Sequence, residues 1–525
     1  MAHPCTVEGM SFAWQPDIAR SGSTKRTRLL AGAAALALTT GGLAACTDST
    51  GDDAAVIAVK TKGDSVELVS ADAPAEATAA TSAMTFESSD LAVVGEEADA
   101  EAVIKQAGEL GAPGLLAEGD AGDATATADE LERLGATTVY VPGGLEDLEV
   151  LADIDVVTFD PETLDVLAGD EPAEIVHEGD SAAATLFVTT TEDPTPAQQV
   201  ASATIESASG TVAALPDGDP RATSETVEGA RASDGGNVLA LGEDFGDLDT
   251  FTARLATART APELPGGGQT PFPGRRMVAA YGSPNIPELG VLGEQDLDAS
   301  VKLVKELAAS YQNYSDEQVI PAMEIIATVA SSEAGPDGNL STELSVERLQ
   351  PWIDRAGEEG IYVVLDLQPG TSTLLEQAQL YEDLLKEPHV GLAIDPEWRL
   401  EPGQRHMQQI GSVDAAEVNE TMQWLADLTA ENELPQKVFV MHQFSMSMIR
   451  DRENLDTSHD ELAMILHADG HGTPDLKMGT WNALQVDLPD GIGMAWKNFY
   501  DEDTPTFTPE ETMAVDPKPW FVSYQ

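Results

Sequence analysis

Two aliphatic runs in the second half of the chain end abruptly in an acid. Residues 361–366 read IYVVLD and residues 390–397 read VGLAIDPE, so Asp366 closes the first run and Asp395 and Glu397 close the second. Continuous apolar runs bounded by Gly and Pro suit strands buried on both faces, as in a parallel sheet. Six comparable runs accompany them, giving expected strands at 277–281, 322–328, 361–366, 390–394, 437–441, 462–467, 491–496 and 520–524. Helical patterning separates these at 301–310, 346–356, 373–385, 415–430, 480–484 and 509–513. Eight alternations over about 250 residues match the size and count of a (β/α)8 TIM-like barrel.

Such a barrel keeps its chemistry at the C-terminal strand ends. The side chains expected there are Tyr281, Glu333, Asp366, Asp395, Glu397, His442, His467, Asp469, His471, Lys497 and Asp501. Acids and histidines on one rim can supply a proton donor and a proton acceptor. Glycoside cleavage needs two carboxyl groups flanking the bond. Asp366, Asp395, Glu397 and Asp501 are the candidate catalytic acids. Tyr281, Trp398, Trp481 and Trp496 are candidate sugar platforms, and His442, His467, Asp469 and Lys497 complete the expected substrate-binding set. The competing reading is a metal-dependent hydrolase. His442, His467, Asp469 and His471, with Asp366 or Asp395, are ligand types for zinc or manganese. Their spacing matches no familiar metal motif, and no cofactor is expected. The bland reading of His442 and His467 is a pair of hydrogen-bonded core histidines. Gly266–Gly268 lacks the Lys-Ser/Thr of a phosphate loop. No Gly-x-Ser-x-Gly elbow accompanies any expected strand.

The C-terminal region, taken whole, resembles the barrels of glycoside hydrolases and of actinobacterial exported lipoproteins. Common retaining barrels carry Asn-Glu after strand four and Glu after strand seven. Here Asp395-Pro396-Glu397 and Lys497-Asn498 stand in those places.

Charge narrows the partners. The chain holds 92 acidic and 27 basic residues, a formal net charge of -65. Such a surface repels nucleic acid and anionic headgroups. Cations, neutral glycans or a basic protein remain.

The N-terminal 46 residues read as a targeting segment. Lys25, Arg26 and Arg28 precede an Ala/Leu-rich run that ends in Leu43-Ala44-Ala45-Cys46. This is similar to a bacterial lipobox, which implies cleavage before Cys46 and a diacylglycerol on its thiol. The protein would then be exported and anchored to the outer face of the cytoplasmic membrane. The apolar run is too short for a lasting membrane span, whereas two acyl chains hold firmly. Cys5 and Cys46 are the two cysteines. Cleavage removes one and lipidation occupies the other, which excludes cysteine-based nucleophiles and metal sites. Residues 47–84 are polar and acidic and read as a tether, with one strand at 65–69.

Between 85 and 262 strands and helices alternate. Expected strands at 91–94, 113–116 and 137–141 enclose helices at 98–110 and 126–134. The same order recurs about 100 residues later, with strands at 185–189, 211–215 and 237–241 and helices at 197–207 and 224–231. This predicts parallel three-layer units produced by duplication. The segments LGAPGLL at 110–116, ELERLGA at 130–136 and TVYVPGG at 138–144 resemble the type 2 cell-wall-binding repeat of Gram-positive surface proteins. That resemblance implies a duplicated flavodoxin-like or Rossmann-like α/β fold attached to anionic wall polymers. FESSD at 86–90 replaces the Asp-Arg-Tyr segment that usually opens the repeat. A Pro/Gly linker at 263–275 leads to the barrel at 276–525. The combined expectation is a surface lipoprotein that acts on, or binds, cell-envelope polysaccharide.

Overall fold

The computed structural model describes residues 54–525 apart from 118–123, 153, 190–192 and 336. The targeting segment and Cys46 lie outside the described residues. Each of the eight expected barrel strands forms. In order they are Arg275–Gly282, Gln318–Ala330, Tyr362–Leu367, Val390–Ile394, Lys437–Gln443, Leu462–Ala468, Gly493–Asn498 and Phe521–Tyr524. Neighbours pair in parallel, and the eighth strand also pairs with the first. The chain is therefore α/β with a closed eight-stranded parallel barrel, compatible with a TIM-like architecture. Closure leaves no unpaired edge in the ring.

Alternation along each strand explains the long apolar runs. Val278, Met323, Val363, Leu392, Phe439 and Leu466 face outward under the helices. Met277, Ala279, Ile320, Ala322, Tyr362, Val364, Ala393, Val438, Val440, Ile465, Ala495 and Phe521 fill the interior. Both faces are dry, so both sets are apolar. The outer helices carry a matching stripe. In Val346–Glu358, Leu349, Trp352, Ile353 and Ala356 are buried at helical spacing. Asp296, Thr373 and Thr508 cap helix starts with side-chain acceptors. The stretch expected as one helix at 373–385 divides into Leu374–Gln379 and Glu382–Leu385. Among the described residues, no helix is long and apolar enough to cross a membrane.

Among the described residues, the N-terminal part contains three sheets. One runs Gly114–Leu116, Leu91–Gly95, Thr138–Pro142, Asp155–Phe159 and Val166–Ala168, parallel except for the last pair. Another runs Thr211–Leu215, Ala184–Thr189, Asn237–Leu241 and Val66–Val69, all parallel. In both, the three expected strands lie in the order second, first, third. The third sheet joins Phe86–Ser89, Ala55–Val59 and Ile175–Glu178.

Two expectations need correction. The segment read as a tether is built into this stem from Ala55 onward. Ala55–Val59 and Val66–Val69 are strands, and Pro74–Thr85 is a helix packed against Pro196–Ser207. Its polar composition misleads because Thr78, Thr81 and Thr85 donate their hydroxyls to carbonyls one turn back. Satisfied in this way, small hydroxyl residues can be buried. The Pro/Gly linker is irregular but packed. Leu264 and Phe272 join the interior cluster at the N-terminal end of the barrel, and Arg275 donates to the carbonyls of Pro265 and Gly267. Gly266, Gly267 and Gly268 all have left-handed backbone, which a side chain would strain.

The stem meets the same N-terminal end of the barrel. Asp460, just ahead of the sixth strand, lies 2.9 Å from Arg221 and 2.6 Å from Arg254 of the stem, and Asp219 holds Arg221 at 2.8 Å. Among the described residues, the cavity at the C-terminal mouth is lined by the barrel alone. Removing Asp460 leaves both guanidinium groups to Asp219, which holds Arg221 at 2.8 Å but lies 3.8 Å from Arg254. Asp460→Ala should lower unfolding stability in urea by about 2 kcal/mol, less than a fully buried pair because Asp460 is 34% exposed.

Candidate active site

The inward positions nearest the C-terminal mouth change character. Continuing the alternation from Ala279, Ala322, Val364, Ala393, Val440, Ile465, Ala495 and Phe521 reaches Tyr281, Glu324, Asp366, Asp395, His442, His467, Lys497 and Ser523. Tyr281 faces Glu324 across adjacent strands, His442 faces His467, and Lys497 faces Ser523. The barrel therefore ends in a buried layer of ionisable groups.

Asp469 sits at the centre of this layer. His442 Nδ1 donates to its Oδ2 at 2.8 Å, and His467 Nδ1 to its Oδ1 at 2.6 Å. The Lys497 ammonium donates to Oδ2 at 3.3 Å and lies 3.7 Å from the centre of the Tyr281 ring. His442 Nε2 reaches Glu324 Oε1 at 2.9 Å, and Ser523 donates to His467 Nε2 at 3.1 Å. Tyr281 donates to Asp366 Oδ2 at 2.7 Å. Glu324 Oε2 and Asp366 Oδ1 are buried without a partner.

Burial and pairing set the charges. Burial opposes ionisation of Asp469, but Lys497, His442 and His467 overcome it and hold its pKa well below the ordinary carboxylate value. Burial would discharge His442, yet Asp469, Glu324 and Asp366 push its pKa well up. For His467 burial wins, and its pKa falls. Lys497 is raised against burial by Asp469 and Glu324. Burial likewise opposes ionisation of Glu324, but His442 and His467 lower it. Asp395 and Glu397 behave oppositely. Burial, reinforced by Glu397 and Asp366, raises Asp395 well above its usual range. Burial, reinforced by Asp469, raises Glu397 to about 7. Among the described residues, no protein group donates a hydrogen bond to either of these two carboxyls.

A cavity of about 720 Å³ opens above the layer. Asp395, Glu397, Asp469 and Lys497 form its polar wall, and Trp398, Phe444 and Phe499 an aromatic one. Of the expected residues, Tyr281, Trp398 and His471 also line it. Asp366, His442 and His467 are gathered beneath as supports.

Four expected residues are corrected. Asp501 is exposed in the turn after the seventh strand and does not line the cavity; its neighbour Asp503 is the buried acid, bound to Lys477 at 2.8 Å. Trp496 cannot be a sugar platform because it adjoins inward-facing Lys497 and so points outward, where it packs against Trp481 and stacks on Phe507. Trp481 is fully buried in the same outer layer. Glu333 is exposed away from the cavity.

Sequence reasoning missed Glu324, Phe444, Phe499 and Ser523. Glu324 had a signal: it is a lone charge inside the apolar run IPAMEII.

Ligand atoms of His442, His467 and Asp469 lie within 4.8 Å of one another, close enough for a metal ion. The Lys497 ammonium already occupies one side of that carboxylate, so an added cation would meet a fixed positive charge.

No protein-family model matches the chain, and no curated protein is significantly similar to it.

Glu397 gives a stability test. Its folded pKa of about 7 exceeds the ordinary value of 4.5. Its contribution is full below about pH 4.5 and is lost as pH rises through about 7. Glu397→Gln should therefore be more stable than the parent near pH 8, by on the order of 1 kcal/mol after discounting for partial exposure, and the gain should vanish near pH 4. Thermal unfolding at the two pH values measures the difference.

Proposed function

We propose that the barrel hydrolyses a glycosidic bond in cell-envelope polysaccharide. One observation carries this reading. Two carboxyls on the wall of one cavity, Glu397 and Asp469, have environments that push their pKa values in opposite directions. Such a division assigns an acid and a fixed anion. Glu397 holds a proton near neutral pH and passes it to the glycosidic oxygen as the bond breaks. Asp469, ionised throughout, stabilises the positive charge that develops on the sugar ring. Water adds to the anomeric carbon, and its proton returns to the Asp395–Glu397 pair. Trp398 offers a sugar platform at the rim. Asp469 already accepts three hydrogen bonds, which suits electrostatic support better than nucleophilic attack.

The stem and N-terminus complete the proposal. The shared second-first-third strand order supports a duplicated flavodoxin-like region. The wall-repeat resemblance supports a role in holding the enzyme near its polymer, with divalent cations bridging anionic wall to acidic surface. The lipobox-like segment supports export and anchoring through Cys46.

Two experiments test this. The protein is incubated with wall polysaccharide and reducing ends are counted. Release should fall by about 10²–10⁴-fold in Glu397→Gln, and in the parent should decline above about pH 7 as the acid loses its proton. Undiminished release in the variant removes Glu397 from the mechanism, and no release from any wall fraction leaves a silent glycan-binding barrel. In a secreting bacterial host, Cys46→Ser should move the protein from the membrane fraction to the medium. Retention on the membrane would refute lipid anchoring.

A further inference from the structure

The charged side chains of the cavity wall are mostly acids. Asp395, Glu397 and Asp469 face it, and Glu502 stands at its exposed edge. Lys497 and His471 are the basic side chains of the lining. The Lys497 ammonium is committed to Asp469 at 3.3 Å and to the Tyr281 ring at 3.7 Å, and His471 lies exposed at the mouth, its ring 5.7 Å from Phe499.

Asp395 is the group left over. It is only 3% exposed, it lines the cavity, and among the described residues no protein donor reaches its carboxyl. A buried carboxyl without a donor demands one from whatever fills the space beside it. A sugar hydroxyl supplies one hydrogen bond and no charge. Burial by itself keeps Asp395 protonated, and an ammonium seated there offers three donors and favours release of that proton to water, so that the bond formed is a charge-assisted one. The aromatic wall of Trp398, Phe444 and Phe499 also suits a cation, because ring faces attract positive charge. The net charge of -65 draws such ligands toward the protein.

We propose that the cavity selects a glycan carrying free, protonated amino groups, with one ammonium seated against Asp395. The proposal rests on the glycan reading of this site and narrows its substrate class to amino sugars that are not N-acetylated. An acetyl group would remove the charge and two of the three donors.

Calorimetric titration of the purified protein near pH 6 tests it with four probes: a glucosamine hexamer, its fully N-acetylated form, a neutral glucose hexamer, and hexalysine. The glucosamine hexamer should bind roughly tenfold or more tightly than either other sugar, and raising salt from about 50 to about 500 mM should leave part of that preference, because a partly buried pair is screened less than surface charge. In Asp395→Asn the preference should fall by roughly tenfold. Attraction to the acidic surface as a whole would survive loss of one acid among 92. Equal binding of the three sugars, or an amine preference unchanged in Asp395→Asn, overturns the proposal and leaves the glycan reading standing. Hexalysine binding as tightly as the glucosamine hexamer, with that binding lost at high salt, also overturns it. Failure of all three sugars to bind or to be cleaved sinks the glycan reading and the proposal together. Should Asp395→Asn fail to fold, the salt series and the hexalysine comparison on the parent protein decide.

Discussion

Asp469 accepts hydrogen bonds from two imidazoles and an ammonium, and the ionisable layer of the barrel is ordered around that carboxylate. Bringing a charge into a protein interior costs several kcal/mol per ion unless partners replace its water. Here Asp469 and Glu324 are offset by His442 and Lys497, and each ion touches one of opposite sign. Neutral His467 fills the remaining side of Asp469 and is itself satisfied by Ser523. Loss of any one member leaves another buried and unpaired, so the layer behaves as a unit. A field fixed in this way needs no reorganisation when charge develops above it.

Strand alternation places that layer. Closing eight parallel strands leaves only two directions for a side chain, toward the axis or toward the helices. Apolar side chains fill the axis from the N-terminal end upward, with Leu264 and Phe272 of the 263–275 segment closing the bottom. The stem is clamped at that same end through Asp460. The charged layer is therefore pressed between a dry core beneath and the cavity above. It is dry enough to shift pKa values, yet Asp395 and Glu397 still reach the opening.

The same alternation decides what the sequence could reveal. Strands buried on both faces leave uninterrupted aliphatic runs, so all eight were legible along with the acids that end them. Direction was harder to read. Trp496 and Lys497 are consecutive and cannot both face the axis, yet both look like rim residues in one dimension. Glu324 lies two residues beyond Ala322 and four beyond Ile320 on the inward side, so extending the pattern past the aliphatic run would have found it. Asp501 looked right by position, but the chain turns after Asn498 and presents Asp503 to Lys477 instead. The helix at Pro74–Thr85 was hidden for another reason. Apart from Pro74 and Met84, its buried face is made of Ala, Ser and Thr, small residues that look like tether composition although backbone carbonyls satisfy the threonines.

Lys477 shows how loops at the mouth are held to the accuracy a chemical site requires. Its buried ammonium donates to the carbonyls of Gly470 and Lys497 at 2.9 and 2.6 Å and pairs with Asp503 at 2.8 Å. One carbonyl directly follows Asp469 in the chain, and the other belongs to Lys497 itself. Asp503 also accepts from the backbone N–H groups of Gly472 and Phe499. A single cation thus ties the loop after the sixth strand to the end of the seventh, which carry the two partners of the central ion pair. None of these restraints touches Asp395 or Glu397. Asp469 is locked from three sides while Asp395 and Glu397 are left without protein donors among the described residues, the division of labour that the proposed bond protonation over a fixed charge would require.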